Sequence, residues 1–313
     1  MIEVKHVTKK YGKAVAVEDI SFSIKEGEIV GLLGPNGAGK STTMNMLTGF
    51  IEQTEGEIII DGYDMLKKPK KAKKEIGYMP EGVPLYTDLT VREFVQYMAE
   101  IKQVDKKNRK EKVDQIIEQT GLKEVEKKLI KNLSRGYKQR VSMAGALVGT
   151  PKILILDEPT VGLDPKQITE IRNLIKELGK THTVILSSHI LSEVSQICNK
   201  VIIINKGKII AIDTPENLEN KVSNNNCVYV TVEDPENKVN NMKDKIKDIQ
   251  KLELITENED GTKQYMIEAQ GDIDLRKTIF SEFAKENITI FELKKADSTL
   301  EDAFMKLIEG GNK

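Results

Sequence analysis

One stretch limits what this chain can fold into: Gly34-Pro35-Asn36-Gly37-Ala38-Gly39-Lys40-Ser41-Thr42, set between the apolar run EIVGLL and the run TMNMLTGF. Gly34, Gly39, Lys40 and Ser41 fill the pattern G-x-x-x-x-G-K-[S/T], in which successive backbone N–H groups cradle phosphates at the start of a helix. Glycines let the backbone wrap an anion with no Cβ in the way. Lys40 can then reach the β- and γ-phosphates, and the Ser41 hydroxyl can ligate Mg²⁺. A strand before the loop and a helix after it predict an α/β core whose ligand is a nucleoside triphosphate.

At 313 residues the chain suggests two domains, each long enough to bury a core. Lys and Arg number 48 against 49 Asp and Glu, and the net charge of -1 gives no electrostatic case for nucleic acid. No apolar run approaches the ~18 residues that would span a bilayer, so the chain itself is expected to be soluble. Met1-Ile2-Glu3-Val4 reads directly as a strand, with no N-terminal signal. Cys198 and Cys227 lack metal-ligand spacing and read as buried or idle thiols in a reducing compartment.

Residues 2–7 and 17–24 alternate as half-exposed antiparallel strands do, with Tyr11 on a short turn between them, able to pack locally or to stack on a flat base. EGEIIIDGYDM reads as a strand turning at Asp61-Gly62. Lys67 to Lys74 holds six lysines, a solvated face or a contact for anionic headgroups or an acidic partner loop. After the strand IGYM and a break at Glu81, Thr90 and Glu93 form a capping box for an amphipathic helix, and a second, lysine-rich helix runs over about 107–119. Ser134, as the N-cap of a further helix, with Gly136 allowing close approach, makes a second anion site.

KILILDEPT then runs four apolar residues into Asp157-Glu158, as a strand buried on both faces does, placing two carboxylates at its C-terminal end, where open α/β sheets keep ligands. Asp157 can hold Mg²⁺ and Glu158 an attacking water. THTVILSSH ends its strand in His189 at the same kind of position, whereas His6 and His182 are taken as structural. Asn205-Lys206-Gly207-Lys208 carries Lys where a guanine-reading loop needs Asp, so guanine specificity is unsupported. Past a linker at Asn224-Asn225-Asn226, the order β-α-β-β-α-β is ferredoxin-like, with helices at about 236–250 and 274–286. A last amphipathic helix puts Leu300, Phe304 and Leu307 on one face. This part offers no acid-base constellation and reads as a regulatory or dimer-supporting module.

Taken in order, the phosphate loop, LSRGY, ILILDEP, GLD and the terminal His resemble the ATP-binding subunits of ABC transporters over residues 1 to about 220. GLLGPNGAGKSTTMNMLTG, IGYMPE, LSRGYKQR and the tail STLEDAF are similar to the separate-chain subunits of bacterial exporters for drugs, polysaccharides or lipids. The resemblance implies a P-loop NTPase core over residues 1–221, with a mixed parallel sheet, an antiparallel β subdomain and a helical insertion at about 88–150. An α+β ferredoxin-like accessory domain would fill 222–313.

It also implies roles. Tyr11 stacks on adenine, and Gly34, Pro35, Asn36, Gly37, Ala38, Gly39, Lys40, Ser41 and Thr42 hold the phosphates. Ser41, Asp157 and Glu81 hold Mg²⁺. Glu158 polarises the attacking water, while Lys40 and His189 contact the γ-phosphate. Ser134 and Gly136 complete the site from the opposite copy, so that a homodimer sandwiches two ATP, with Asp164 at the junction. The partner is a separate transmembrane permease subunit, reached from the cytoplasmic face of the cell membrane, which this chain touches only through that partner.

Two positions depart from the family pattern. Glu81 replaces the usual Gln, adding negative charge beside a polyphosphate, and Arg135-Gly136-Tyr137 replace two glycines and a Gln. A soluble ABC-type mechanochemical ATPase and an importer subunit are the alternative readings. The transported substrate is not legible, because no residue contacting it need lie on this chain.

Overall fold

The structure is a computed structural model that describes residues 1–82, 85–222, 227–234, 237–258, 260–271 and 273–295. The linker at 224–226 and the last helix with Leu300, Phe304 and Leu307 lie outside the described residues. The chain forms two compact units that divide in sequence between Pro215 and Glu216, a few residues before the expected boundary at 221/222.

In the first unit, β1 (Ile2–Tyr11) and β2 (Ala14–Ile24) pair antiparallel around a turn at Gly12-Lys13. Tyr11 is therefore the last residue of a strand, paired with Ala14, rather than a turn residue. β3 (Ile29–Leu33), buried at all five positions, leads through the phosphate loop into α1 (Lys40–Leu47). β4 (Glu55–Ile60) and β5 (Tyr63–Asp64) turn at Asp61 and Gly62, whose φ values of 48° and 79° make the left-handed pair that a tight hairpin needs. These strands form an antiparallel sheet of order β2-β1-β4-β5.

The lysine run lies on and just before α2 (Pro69–Lys74). All six lysines are exposed, but Lys73 Nζ donates to the Gly49 carbonyl at 2.8 Å and Lys67 pairs with Asp64 at 3.0 Å. β6 (Ile76–Met79) is followed by α3 (Val91–Ile101), α4 (Lys106–Gln119) and α5 (Arg135–Leu147). The Thr90–Glu93 capping box is present at the start of α3.

The chain continues through β7 (Ile153–Leu156), α6 (Pro165–Gly179), β8 (Thr183–Ser188), α7 (Leu191–Ser195), β9 (Lys200–Asn205) and β10 (Lys208–Asp213), and α8 (Pro215–Val222) then begins at the division and runs into the second unit. The second sheet has the order β10-β9-β3-β8-β7-β6, parallel from β9 to β6, with β10 as an antiparallel edge. One apolar cluster is shared by the two sheets: Ile2, Val4, Ile58 and Ile60 from one, Leu32, Ile155, Ile185 and Ile202 from the other. Burying each such side chain contributes about 1.5–3 kcal/mol, so this shared core holds the sheets together.

The second unit contains β11 (Cys227–Glu233), α9 (Met242–Lys245), β12 (Ile249–Glu257), β13 (Thr262–Ala269), α10 (Arg276–Lys285) and β14 (Thr289–Lys295). Its sheet is antiparallel in the order β12-β13-β11-β14, the ferredoxin-like arrangement, over a core that includes Val230, Tyr265, Ile267 and Phe283. The helix expected over 236–250 is only a 3-10 turn at Lys238–Asn241 followed by one α-turn. Val239, Met242, Ile246 and Ile249 are all buried at helical spacing, but pairing of Ile249 with Ala269 takes the end of the run into the sheet.

Candidate active site

The register of the parallel sheet assembles the site. Leu33 pairs with Ser188, Leu156 with Leu186 and Met79 with Leu156, so β3, β8, β7 and β6 all deliver their following loops to one edge. Gly34, His189, Asp157 and the Pro80-Glu81 segment therefore emerge side by side. This is the carboxyl edge at which open parallel sheets bind ligands.

The phosphate loop needs its glycines for two different reasons. A Cβ on Gly34 would lie 2.2 Å from the Ile204 carbonyl oxygen, so only a bare backbone passes β9 there. Gly37 and Gly39 have φ of 78° and 108°, the left-handed region that turns the loop back over the helix start. Gly39 is the N-cap of α1 and contributes no side-chain cap, leaving the helix N–H groups to whatever occupies the loop. Lys40 is buried, and its Nζ donates to the carbonyls of Gly34 at 2.8 Å and Pro35 at 3.3 Å and lies 3.8 Å from Glu158 Oε1. A cleft of about 520 Å³ is lined by the whole run from Pro35 to Thr42 with Glu81, Glu158 and His189. Val15, Ala16, Val161 and Lys206 line it too. Lys206, at the β9–β10 turn, brings a cation to the cleft that no local sequence pattern marks.

The two acids leave β7 buried, Asp157 at 4% and Glu158 at 7% exposure. Ser187 links them: its hydroxyl donates to Asp157 Oδ1 at 2.5 Å and accepts from the Glu158 N–H at 2.8 Å. Nothing in the sequence distinguishes this serine from its neighbour Ser188 in β8. Burial pushes the Asp157 carboxyl above the usual carboxylate range; the Ser187 hydrogen bond opposes this, the neighbouring Glu158 charge adds to it, and Lys40 opposes it. A cation beside Asp157 would remove that penalty. Burial, and then the charge of Asp157, raise the Tyr78 phenol to about 12.

Glu158 has φ 48°, a backbone that a glutamate adopts only when its surroundings hold it there. Its Oε2 pairs with His189 Nδ1 at 2.9 Å while its Oε1 faces Lys40. The cleft thus sets a carboxylate between an imidazole and an ammonium, an arrangement able to hold a water against a phosphate. Among the described residues, no cluster of three or more His, Cys, Asp or Glu is arranged to hold a metal ion. A divalent cation here would rely on Ser41, Asp157 and Glu81 together with oxygens of the phosphate itself.

Ser134 caps α5, accepting from the Tyr137 N–H at 3.4 Å, and Asp164 caps α6, accepting from the Gln167 N–H at 2.9 Å. Ser134, Gly136 and Asp164 line one separate cleft of about 270 Å³. None of the three lines the first. Tyr11 is half exposed, with Lys9 Nζ 5.0 Å from its ring centre, and is not among the residues lining the first cleft. His6 and His182 make local contacts with Asp19 and with the Leu178 carbonyl. Cys198 and Cys227 are buried and form no disulfide.

Comparison with known proteins identifies the family. The sequence family described as "ABC transporter" matches residues 17–161. The chain is 36% identical to the bacitracin transport ATP-binding protein BcrA of Bacillus licheniformis, over 99% of this chain and 98% of that protein. It is 39% identical to the linearmycin resistance ATP-binding protein LnrL of Bacillus subtilis, over 74% of this chain and 75% of the relative. Among solved structures, a dimeric ATP-binding cassette in a post-hydrolysis state with ADP and Pi matches with TM-score 0.62 and 28% identity, covering 68% of this chain and 98% of its own. An ATP-binding subunit of an ABC transporter matches with TM-score 0.63 and 30% identity, covering 71% of this chain and 92% of its own. With its phosphate loop, paired acids and histidine gathered at one sheet edge, the chain belongs to the ABC transporter family as an ATP-binding, ATP-hydrolysing subunit.

Proposed function

We propose that two copies of this chain close around two ATP molecules, and that each copy lends the other the half of a site it lacks. The observation that carries this reading is the division of one chain's expected site residues into two clefts. Lys40, Glu158 and His189 converge in the first, whereas Ser134, Gly136 and Asp164 face the second. A head-to-tail pair brings the first cleft of one copy against the second of the other, with the same surfaces used twice. Closure then depends on ATP, because only the γ-phosphate adds contacts that favour the closed state.

Within the site, the phosphate loop and Lys40 orient the triphosphate, and Glu158 takes a proton from the attacking water. His189, which shares the Glu158 carboxylate, contacts the γ-phosphate side. Ser41, Asp157 and Glu81 would hold magnesium, which would supply charge neutralisation at the phosphates. Phosphoryl transfer needs mainly such positioning and charge stabilisation.

The work is transport, with the substrate path on a separate transmembrane subunit. Among the described residues no helix is long and apolar enough to cross a membrane. The chain sits at the cytoplasmic face of the membrane through that partner. Its full-length likeness to a bacitracin transport protein, and its likeness to a linearmycin resistance protein, support export.

Glu158→Gln should bind ATP, pair, and release phosphate at least about 100-fold more slowly than wild type, the range of a lost general base. Size-exclusion chromatography with and without ATP, alongside a phosphate-release assay, reads both effects. A variant that stays monomeric with ATP, or that turns over at the wild-type rate, contradicts the proposal.

A further inference from the structure

The segment from Pro159 to Asp164 runs between the two clefts, and side chains from other elements hold it at three successive points. Gln139 Nε2 donates to the Pro159 carbonyl at 2.8 Å. The buried carboxylate of Glu193, on α7 just beyond His189, accepts from the Thr160 hydroxyl. Arg135 Nη1 donates to the Gly162 carbonyl at 3.0 Å. Arg135 and Gln139 are one helical turn apart on α5, so both reach the same side. Between the anchors, Val161 lines the first cleft, and Asp164, at the end of the segment, lines the second.

Arg135 is an odd choice at its position. It is the first residue of α5, where a cation opposes the helix dipole. Its contact with Gly162 supplies a reason. Gly162 has φ 72°, and a Cβ there would come within 2.5 Å of Arg135 Nη1. The left-handed turn and the missing side chain leave the space that the guanidinium fills.

We infer that Arg135 is a positioning residue that ties the α5 start, which carries Ser134, to the segment that follows Glu158, so that the two move as one body. Filling of the second cleft by the opposite copy's nucleotide then reaches Glu158 of the same chain through Arg135 and Gly162. The inference rests on the proposed exchange of half-sites between two copies, and the test separates the two.

The experiment compares wild type, Arg135→Ala, Arg135→Lys, Gly162→Ala and the Arg135→Ala/Gly162→Ala pair in the full chain, reading ATP turnover, KM, thermal midpoint and ATP-driven pairing in the Glu158→Gln background. Arg135→Ala is expected to lower kcat about tenfold, the factor for one hydrogen bond to a charged group, at unchanged KM and with cooperative melting retained. Arg135→Lys, which keeps a charged donor, is expected to restore most of the turnover. The double variant is expected to lose no more than the worse single variant, because both substitutions break the same link. Wild-type turnover in Arg135→Ala, or losses that multiply in the double variant, overturns the inference. Loss of ATP-driven pairing on Arg135→Ala also overturns it, since Arg135 would then act across the dimer. Failure of the Glu158→Gln chain with native Arg135 to pair on ATP would instead remove the half-site exchange itself.

Discussion

At the scale of single residues, Ser187 carries more than its chemistry suggests. Its hydroxyl serves both acids at once, holding Asp157 Oδ1 and the N–H of the strained Glu158. Ser187→Ala leaves a buried acceptor and a buried donor without that partner, which costs about 1–3 kcal/mol for each unsatisfied group. The expected result is a lower thermal midpoint together with slower turnover, because Glu158 loses the contact that fixes its backbone; a variant with wild-type melting and rate would show that the strand alone holds it. Lys40, Asp157, Glu158 and His189 were legible in the sequence because each follows or ends a diagnostic run. Ser187 was not, since a serine in an apolar strand shows its use only once the neighbouring strand is known. Lys206 escaped for the same reason: its turn reaches the cleft only because β9 lies beside β3.

Among elements, α5 matters at both ends. Ser134 caps its start, and at its far end Lys102, just past α3, donates to the carbonyls of Val148 at 2.9 Å and Ala146 at 3.3 Å. Burial lowers the Lys102 ammonium to about 8 from its ordinary 10.5. Between those values the unfolded chain keeps a proton at this site that the folded chain has released, so stability from this group rises with pH across the window and is lowest below about pH 8. Lys102→Met should therefore compare best with wild type near pH 7 and lose ground steadily toward about pH 10, as read from denaturant midpoints at both pH values. A difference that stays constant with pH would show that the amine is not desolvated in the folded chain. The capping box at Thr90 and the buried runs of β7 and β8 could be read from sequence, each being a local pattern. The segment 236–250 could not, because the same four apolar residues satisfy a helix and the approach to a strand, and β13 decides between them.

For the molecule as a whole, the two units have separate cores, one joining the two sheets of the first unit and one around Phe283 and Tyr265. Phe283 is fully buried, and Phe283→Ala should destabilise its own unit by about 3–5 kcal/mol. Scanning calorimetry is expected to show that unit melting earlier while the transition of the nucleotide-binding unit, and its ATP affinity, stay in place. A single transition that shifts as one would mean that the cores are coupled. The sequence by itself determined the phosphate grip, the apolar strands that end in acids and in a histidine, and the capped helices, because each is a matter of residues adjacent along the chain. Only the tertiary structure decided that Glu158 meets both Lys40 and His189, while Ser134 and Asp164 share a different cleft. The order and register of parallel strands come from long-range packing of apolar faces, and no local pattern states which strand lies beside which.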